Sequence, residues 1–187
     1  QFATQAATCL GEASKKFVIH SFEPSKSAFT DLLKNIGDNP NVIINNLGLS
    51  SQPGTVTLYS EESGSGLASL TRRELTHLGI HHGEIEEEVE LSTVDQYMQE
   101  SGVGEIHLLK MDIEGHELEA LSGAELAFSQ GKIAMCQFEF GGCNIDTRTF
   151  FKDFFFYFRD HGFHMFRILP NKKLFKIPRY REFDEKF

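Results

Sequence analysis

The stretch Leu109-Lys110-Met111-Asp112-Ile113-Glu114-Gly115-His116-Glu117 decides the fold. It closes an apolar run, Ile106, Leu108, Leu109 and Met111, that reads as a buried strand. Acids and a glycine then lead into Leu118, Leu121 and Leu126, spaced for one face of a helix. Strand, polar turn and helix make a βα unit, and the same grammar recurs on both sides. Upstream, Phe17 to Phe22 form a short apolar run ending in Glu23-Pro24. Ser25 follows at an N-cap position, and Ala28, Phe29, Leu32, Leu33 and Ile36 share a helical face closed by Gly37. Val42, Ile43 and Ile44 form another strand, running into Asn45 and Asn46. Downstream, Ile133 to Phe138 lead to Glu139, Gly141-Gly142 and a helix with Phe150, Phe151, Phe154, Phe155 and Phe158 on one side.

The remaining segments fit around these units. Phe2 to Ala13 suit a short helix, and Thr55 to Tyr59 alternate as an edge or insertion strand. Ser60 to Leu70, rich in Ser, Gly and Glu, read as a mobile surface loop of the kind that often covers a site. Ile85, Val89 and Leu91 alternate with glutamates before Ser92 caps a helix carrying Val94, Tyr97 and Met98. Phe163 to Leu169 and Leu174 to Ile177, joined through Pro170-Asn171-Lys172-Lys173, form an antiparallel hairpin. The expected fold is α/β: a three-layer sandwich with helices on both faces of a mostly parallel sheet and a C-terminal antiparallel hairpin.

Composition bounds the function. A length of 187 residues fits one domain. With 18 basic against 27 acidic side chains, the net charge of −9 repels phosphate backbones and anionic lipid, so neither nucleic acid nor membrane is an expected partner. Eighteen Phe and no Trp imply a core of phenyl rings, which need no hydrogen-bond partner when buried, and the Phe-rich helix is read as core. Cys9, Cys136 and Cys143 lack C-x-x-C spacing and fit reduced thiols. No apolar run is long enough for a membrane span, which points to a cytoplasmic protein.

Open α/β sheets bind ligands beyond the carboxyl ends of their strands, and three strands here end in acids: Glu23, Asp112 with Glu114, and Glu139. Glu23 stands where a carboxylate accepts from ribose hydroxyls, or it closes a turn before Pro24. Asp112 and Glu114 lie at a helix start, where amide donors stabilise anions, and a plain N-cap would use the same residues. Gly115 permits close approach, and Glu139 is expected to project into the cleft that holds Asp112. His77, His81, His82, His161 and His164 receive no role.

Ser21-Phe22-Glu23-Pro24, the "LKMDIEGHE" block and Leu121-Ser122-Gly123-Ala124 together resemble the FkbM-type methyltransferase family over most of the chain. The resemblance implies a Rossmann-like class I methyltransferase fold that uses S-adenosylmethionine, generally to methylate a hydroxyl of a sugar or other natural-product acceptor. It assigns Phe22, Glu23, Asn46, Leu47 and Asp112 to the cofactor. Glu23 would hold the ribose, Asn46 and Leu47 would lie near adenine, and Asp112 would line the methionine and methyl end. The family's first strand and Gly-rich loop are not found ahead of the first helix, so residues 1–187 are expected to be a single methyltransferase-like domain truncated at its N-terminus.

Methyl transfer to an oxygen requires alignment, exclusion of water and a proton acceptor. Asp112, Glu114, His116 and Glu139 are the candidate catalytic residues, His116 because an imidazole pKa of about 6.5 suits neutral pH. A divalent cation on Asp112, Glu114 and Glu139 is a variant that no ligand spacing specifies, and no metal is expected. The rivals are a nicotinamide-dependent oxidoreductase on the same kind of sheet and a non-enzymatic α/β binding module. The expected partner is a small-molecule or saccharide acceptor, chosen by the Ser60 to Leu70 loop, the Gly141 to Thr147 segment and the hairpin.

Overall fold

The computed structural model describes residues 2–12 and 16–186, which fall into two compact units, residues 1–93 and 94–187. The expected helix over Phe2 to Ala13 is present as α1 (Phe2–Glu12), and Ala13 lies outside the described residues. In the first unit, β1 (Ile19–Phe22) is followed by α2 (Lys26–Ile36) and β2 (Val42–Asn45). β1 and β2 pair in parallel from Ile19↔Val42 to Phe22↔Asn45. Ala7, Ile36 and Val42 are buried, with Phe17, Ile19, Leu32 and Ile44 packed on them. The apolar face of α2 is thus spent on the strands it connects. Ser25 holds the N-cap position without a side-chain bond, and its own N–H donates to Glu23 Oε1 at 3.0 Å.

β3 (Gly48–Leu49), β4 (Gly54–Ser60) and β5 (Ile85–Ser92) form a second sheet in the order β3-β5-β4. β4 is an edge strand, as its alternation suggested, and pairs antiparallel with β5 from Gly54↔Leu91 to Ser60↔Ile85. The only helical turn between them is a 3-10 turn at Thr76–Leu78.

The second unit opens with α3 (Val94–Ser101) and continues through β6 (Leu109–Met111), α4 (Glu117–Ser122), α5 (Glu125–Ser129), β7 (Cys136–Phe138), α6 (Cys143–Thr147) and α7 (Phe151–Asp160). The hairpin of β8 (Met165–Ile168) and β9 (Leu174–Ile177) closes it. The single helix expected over Leu118 to Leu126 is two helices. Asp95 explains the break: its carboxylate accepts from the N–H groups of Leu126 at 2.9 Å and Ala127 at 2.8 Å and so caps a new helix start.

Phenyl rings fill the core of this unit. Phe154 is fully buried, and Phe138 stacks on it with centroids 4.6 Å apart. Phe128 meets Tyr157, Phe158 and Phe163 edge to face. The expected hairpin and βα units are present, and the structure is mixed α/β with parallel and antiparallel pairings. Among the described residues the strands form four separate sheets rather than one continuous parallel sheet. No described helix is long and apolar enough to cross a membrane.

Candidate functional site

β6 and β7 lie side by side in parallel, in register from Leu109↔Cys136 to Met111↔Phe138. The next residue on each strand is an acid, and the Glu139 N–H extends the ladder onto Met111 O at 3.2 Å. Register alone therefore delivers Asp112 and Glu139 to one edge as neighbours. Past Asp112 the backbone enters the left-handed region twice, at Glu114 (φ 53°) and Gly115 (φ 96°). The first costs a residue with a Cβ roughly 1 kcal/mol or more, and it turns the Glu114 carboxylate back toward the strand ends. One carboxylate oxygen from each of Asp112, Glu114 and Glu139 lies within 4.8 Å of the others.

Three acids this close cannot all ionise freely. Asp112 and Glu139 share a hydrogen bond, which with the Lys110 ammonium 2.7 Å from Asp112 Oδ2 holds Asp112 below the usual carboxylate range. The same bond, partial desolvation and the negative charges of Asp112, Glu114 and Glu117 push Glu139 up to about 7. Between the lowered Asp112 value and about 7 the pair holds a single proton in its shared hydrogen bond. Three oxygen donors also match what a hard divalent cation accepts, but the Lys110 ammonium already occupies that electrostatic place beside Asp112.

His116 is not a member of this carboxylate cluster. It takes the N-cap position of α4, half-buried, and desolvation lowers its pKa so that the imidazole is neutral at neutral pH. Glu117 is a residue sequence reasoning passed over. It is fully buried, burial raises its pKa, and its Oε1 accepts the Ile113 N–H at 2.9 Å, tying the turn to the helix. A signal was present: Glu117 shares the i, i+3, i+4, i+7 face of Ala120, Leu121 and Ala124, all buried. Asn144, also passed over, is buried on α6, where its side chain accepts from Gly141 N–H at 2.8 Å and donates to Thr149 Oγ1 at 2.7 Å. It fixes the loop that follows Glu139.

In the first unit, Glu23 closes its turn onto Ser25 N–H, and Asn46 Nδ2 donates to the carbonyls of Glu23 and Pro24, each at 2.9 Å. The structure thus joins Glu23, at the end of β1, to Asn46, just after β2. Phe22, the last residue of β1, and Leu47, beside Asn46, are half-buried. Burial raises the Glu23 pKa, with Glu87 adding repulsion. Turn closure is therefore realised, and it occupies one carboxylate oxygen while the second remains of the type that accepts from a ribose hydroxyl.

A family model described as methyltransferase FkbM domain matches residues 3–165. The chain belongs to this family. The FkbM match takes in α1 through the first residue of β8, including both groups of acids. A curated relative is the hexuronic acid methyltransferase AglP of Haloferax volcanii, 28% identical over 123 residues. That alignment covers 64% of this chain and 45% of the relative, so the match spans less than half the relative's length. No solved structure matches the chain.

Proposed function

We propose that the chain is an S-adenosylmethionine-dependent O-methyltransferase whose acceptor is a hydroxyl of an acidic saccharide. The observation that carries the reading is the proton-sharing pair Asp112 and Glu139 at adjacent strand ends in an FkbM-family chain. The hexuronic acid named for the Haloferax relative supports a sugar acid as acceptor class. In this reading the parallel strands belong to one Rossmann-like, three-layer methyltransferase domain, and the family match favours methyl transfer over nicotinamide chemistry or a non-enzymatic binding module.

The donor chemistry of these residues supports the cofactor assignment. Glu23, with a half-buried carboxylate, would hold the ribose hydroxyls, Phe22, Asn46 and Leu47 would lie toward the nucleoside, and Asp112 would line the methionine end. S-adenosylmethionine, when bound, supplies an electrophilic methyl group. The chain supplies the rest: Glu139, once ionised, accepts the hydroxyl proton, and Asp112, anchored by Lys110, orients it. Glu114 adds negative charge that makes Glu139 a better base, and His116 stands at the N-cap of α4, its carbonyl accepting the Ala120 N–H at 3.0 Å.

Titration calorimetry with S-adenosylhomocysteine tests the cofactor half. Saturable binding weakened at least tenfold by Glu23→Ala and by Asp112→Ala supports it, and no binding to folded protein refutes it. Methyl-tritium transfer from S-adenosylmethionine to a glucuronide tests the acceptor half.

A further inference from the structure

Glu117 is an acid set into the core. It is fully buried on the face of α4 and the following turn that also buries Ala120, Leu121 and Ala124. Its Oε1 accepts the Ile113 N–H at 2.9 Å, while its Oε2 is buried and makes no hydrogen bond among the described residues. Burial raises its pKa, the amides of Ile113, Glu117 and Gly115 oppose that rise, and Glu114 adds to it. An apolar side chain of similar volume would fill the space without an orphaned oxygen, so packing alone does not account for a carboxyl group here.

The one bond it makes has a specific place. A helical side chain leans toward the N-terminus of its helix, so Glu117, the first residue of α4, reaches back over the turn that precedes it. The Ile113 N–H that it holds belongs to the peptide group leaving Asp112, and fixing that group fixes the backbone from which the Asp112 side chain departs. The His116 N–H returns to Ile113 O at 3.4 Å, so both polar backbone groups of Ile113 are tied to the start of α4. Between these ties the chain passes through the left-handed residues Glu114 and Gly115. A strained residue such as Glu114 keeps its conformation only where its surroundings over-determine it. Glu117 supplies that constraint from within, and α6 supplies it from the flank, where Cys143 O lies 3.2 Å from the place of a Gly115 Cβ.

We propose that Glu117 is a positioning residue for Glu139: by clipping Ile113 to α4, it holds Asp112 and Glu114 where their carboxylates meet that of Glu139. The proposal rests on the reading of Glu139 as proton acceptor given above. The groups facing Glu139 are Asp112, which carries the Lys110 ion pair, then Glu114 and Glu117. The Glu139 midpoint therefore reports where those carboxylates stand.

The test is NMR of the whole chain carrying isotope-labelled glutamate, following the Glu139 side-chain carboxyl carbon through its titration, with the signal assigned by its loss in Glu139→Gln. Glu117→Leu keeps most of the volume and removes the clip, and the Glu139 midpoint is expected to fall by about one pH unit. Glu117→Met, more pliable in a core, carries the same comparison where Glu117→Leu does not fold. Glu117→Gln keeps an acceptor for the Ile113 N–H and loses the charge, and its midpoint is expected to stay within about half a pH unit of the parent's. An unmoved midpoint in a folded apolar variant assigns Glu117 to the core alone and overturns the proposal. A midpoint that falls as far in Glu117→Gln as in the apolar variants also overturns it, because charge rather than the clip then sets Glu139. S-adenosylhomocysteine binding and methyl transfer are measured on the same samples. The expected midpoints without either activity keep the clip and remove the methyltransferase reading, and an unmoved midpoint with both activities intact removes the clip and leaves that reading standing.

Discussion

Asp112 and Glu139 share one hydrogen bond and are driven in opposite directions by it, Asp112 downward and Glu139 up to about 7. A base with that pKa works near neutral pH, where the ionised form is populated and the conjugate acid is still strong enough to form. The rate of methyl transfer is accordingly expected to rise with pH through about 7 and level off above it. In Glu139→Gln the rise disappears and the plateau rate falls by about 10²-fold or more. A pH–rate profile of both proteins checks this, and an unchanged profile in the variant removes Glu139 as the proton acceptor.

The same shift has a stability sign. The folded-state pKa of Glu139 lies above its ordinary value of 4.5, so the folded protein binds the extra proton between about 4.5 and 7. Stability contributed by this group is complete below 4.5 and is lost as pH rises through about 7. Buried Glu117, raised as well, acts in the same direction. The lowered His116 and His20 values act in the opposite direction, so the reading is a comparison: the melting temperature at pH 8 relative to that at pH 5 is expected to rise in the Glu139→Gln, Glu117→Gln double variant over the parent.

Gly115 is held at φ 96° with Thr147 Cγ2 only 2.8 Å from where a Cβ would stand and Cys143 O at 3.2 Å. Gly115→Ala forces α6 away and strains the turn, at a cost of roughly 1–3 kcal/mol. Chemical denaturation measures the loss. A variant as stable as the parent would show that α6 yields freely.

Phe154 is fully buried against Phe138 and Phe140, the residues on either side of Glu139. Phe154→Ala is expected to cost about 3–5 kcal/mol and to lower activity in the molecules that remain folded, because the end of β7 loses its backing. Phe154→Leu should recover most of the stability.

Lys110 supplies the positive charge beside Asp112, 2.7 Å from Oδ2. Methyl transfer is therefore expected to survive EDTA and to fall in Lys110→Met, in which the Asp112 pKa rises. Loss of activity in EDTA, restored by magnesium, would instead place a cation on Asp112, Glu114 and Glu139.

Much of this was legible in the sequence, for local reasons. β6, β7 and the acids that end them are short apolar runs followed by charge, a contrast that survives without tertiary information. The break between α4 and α5 was not legible, because it depends on Asp95, about thirty residues upstream, reaching two amides. Glu117 carried a signal in its spacing to Ala120, Leu121 and Ala124, but its charge outweighed it, since a glutamate reads as solvent-exposed until its partner, the Ile113 amide, is known. His82 was hidden likewise: its burial depends on backbone groups of Leu67 and Arg73, which composition does not reveal. Continuity of the parallel strands was inferred from the order of units, and among the described residues the pairs β1–β2 and β6–β7 each stand as a separate two-stranded sheet.

Ser60 and Ile85 face each other on the last rung of the β4–β5 ladder, so the chain between them starts and finishes at one point. The ladder has already brought those ends together, and each doubling of the intervening length adds only about 0.6 kcal/mol of closure entropy. Such a segment is a cassette. Its length and side chains can diverge, by natural drift or by grafting, while the two strands that carry it keep their sequence and their register.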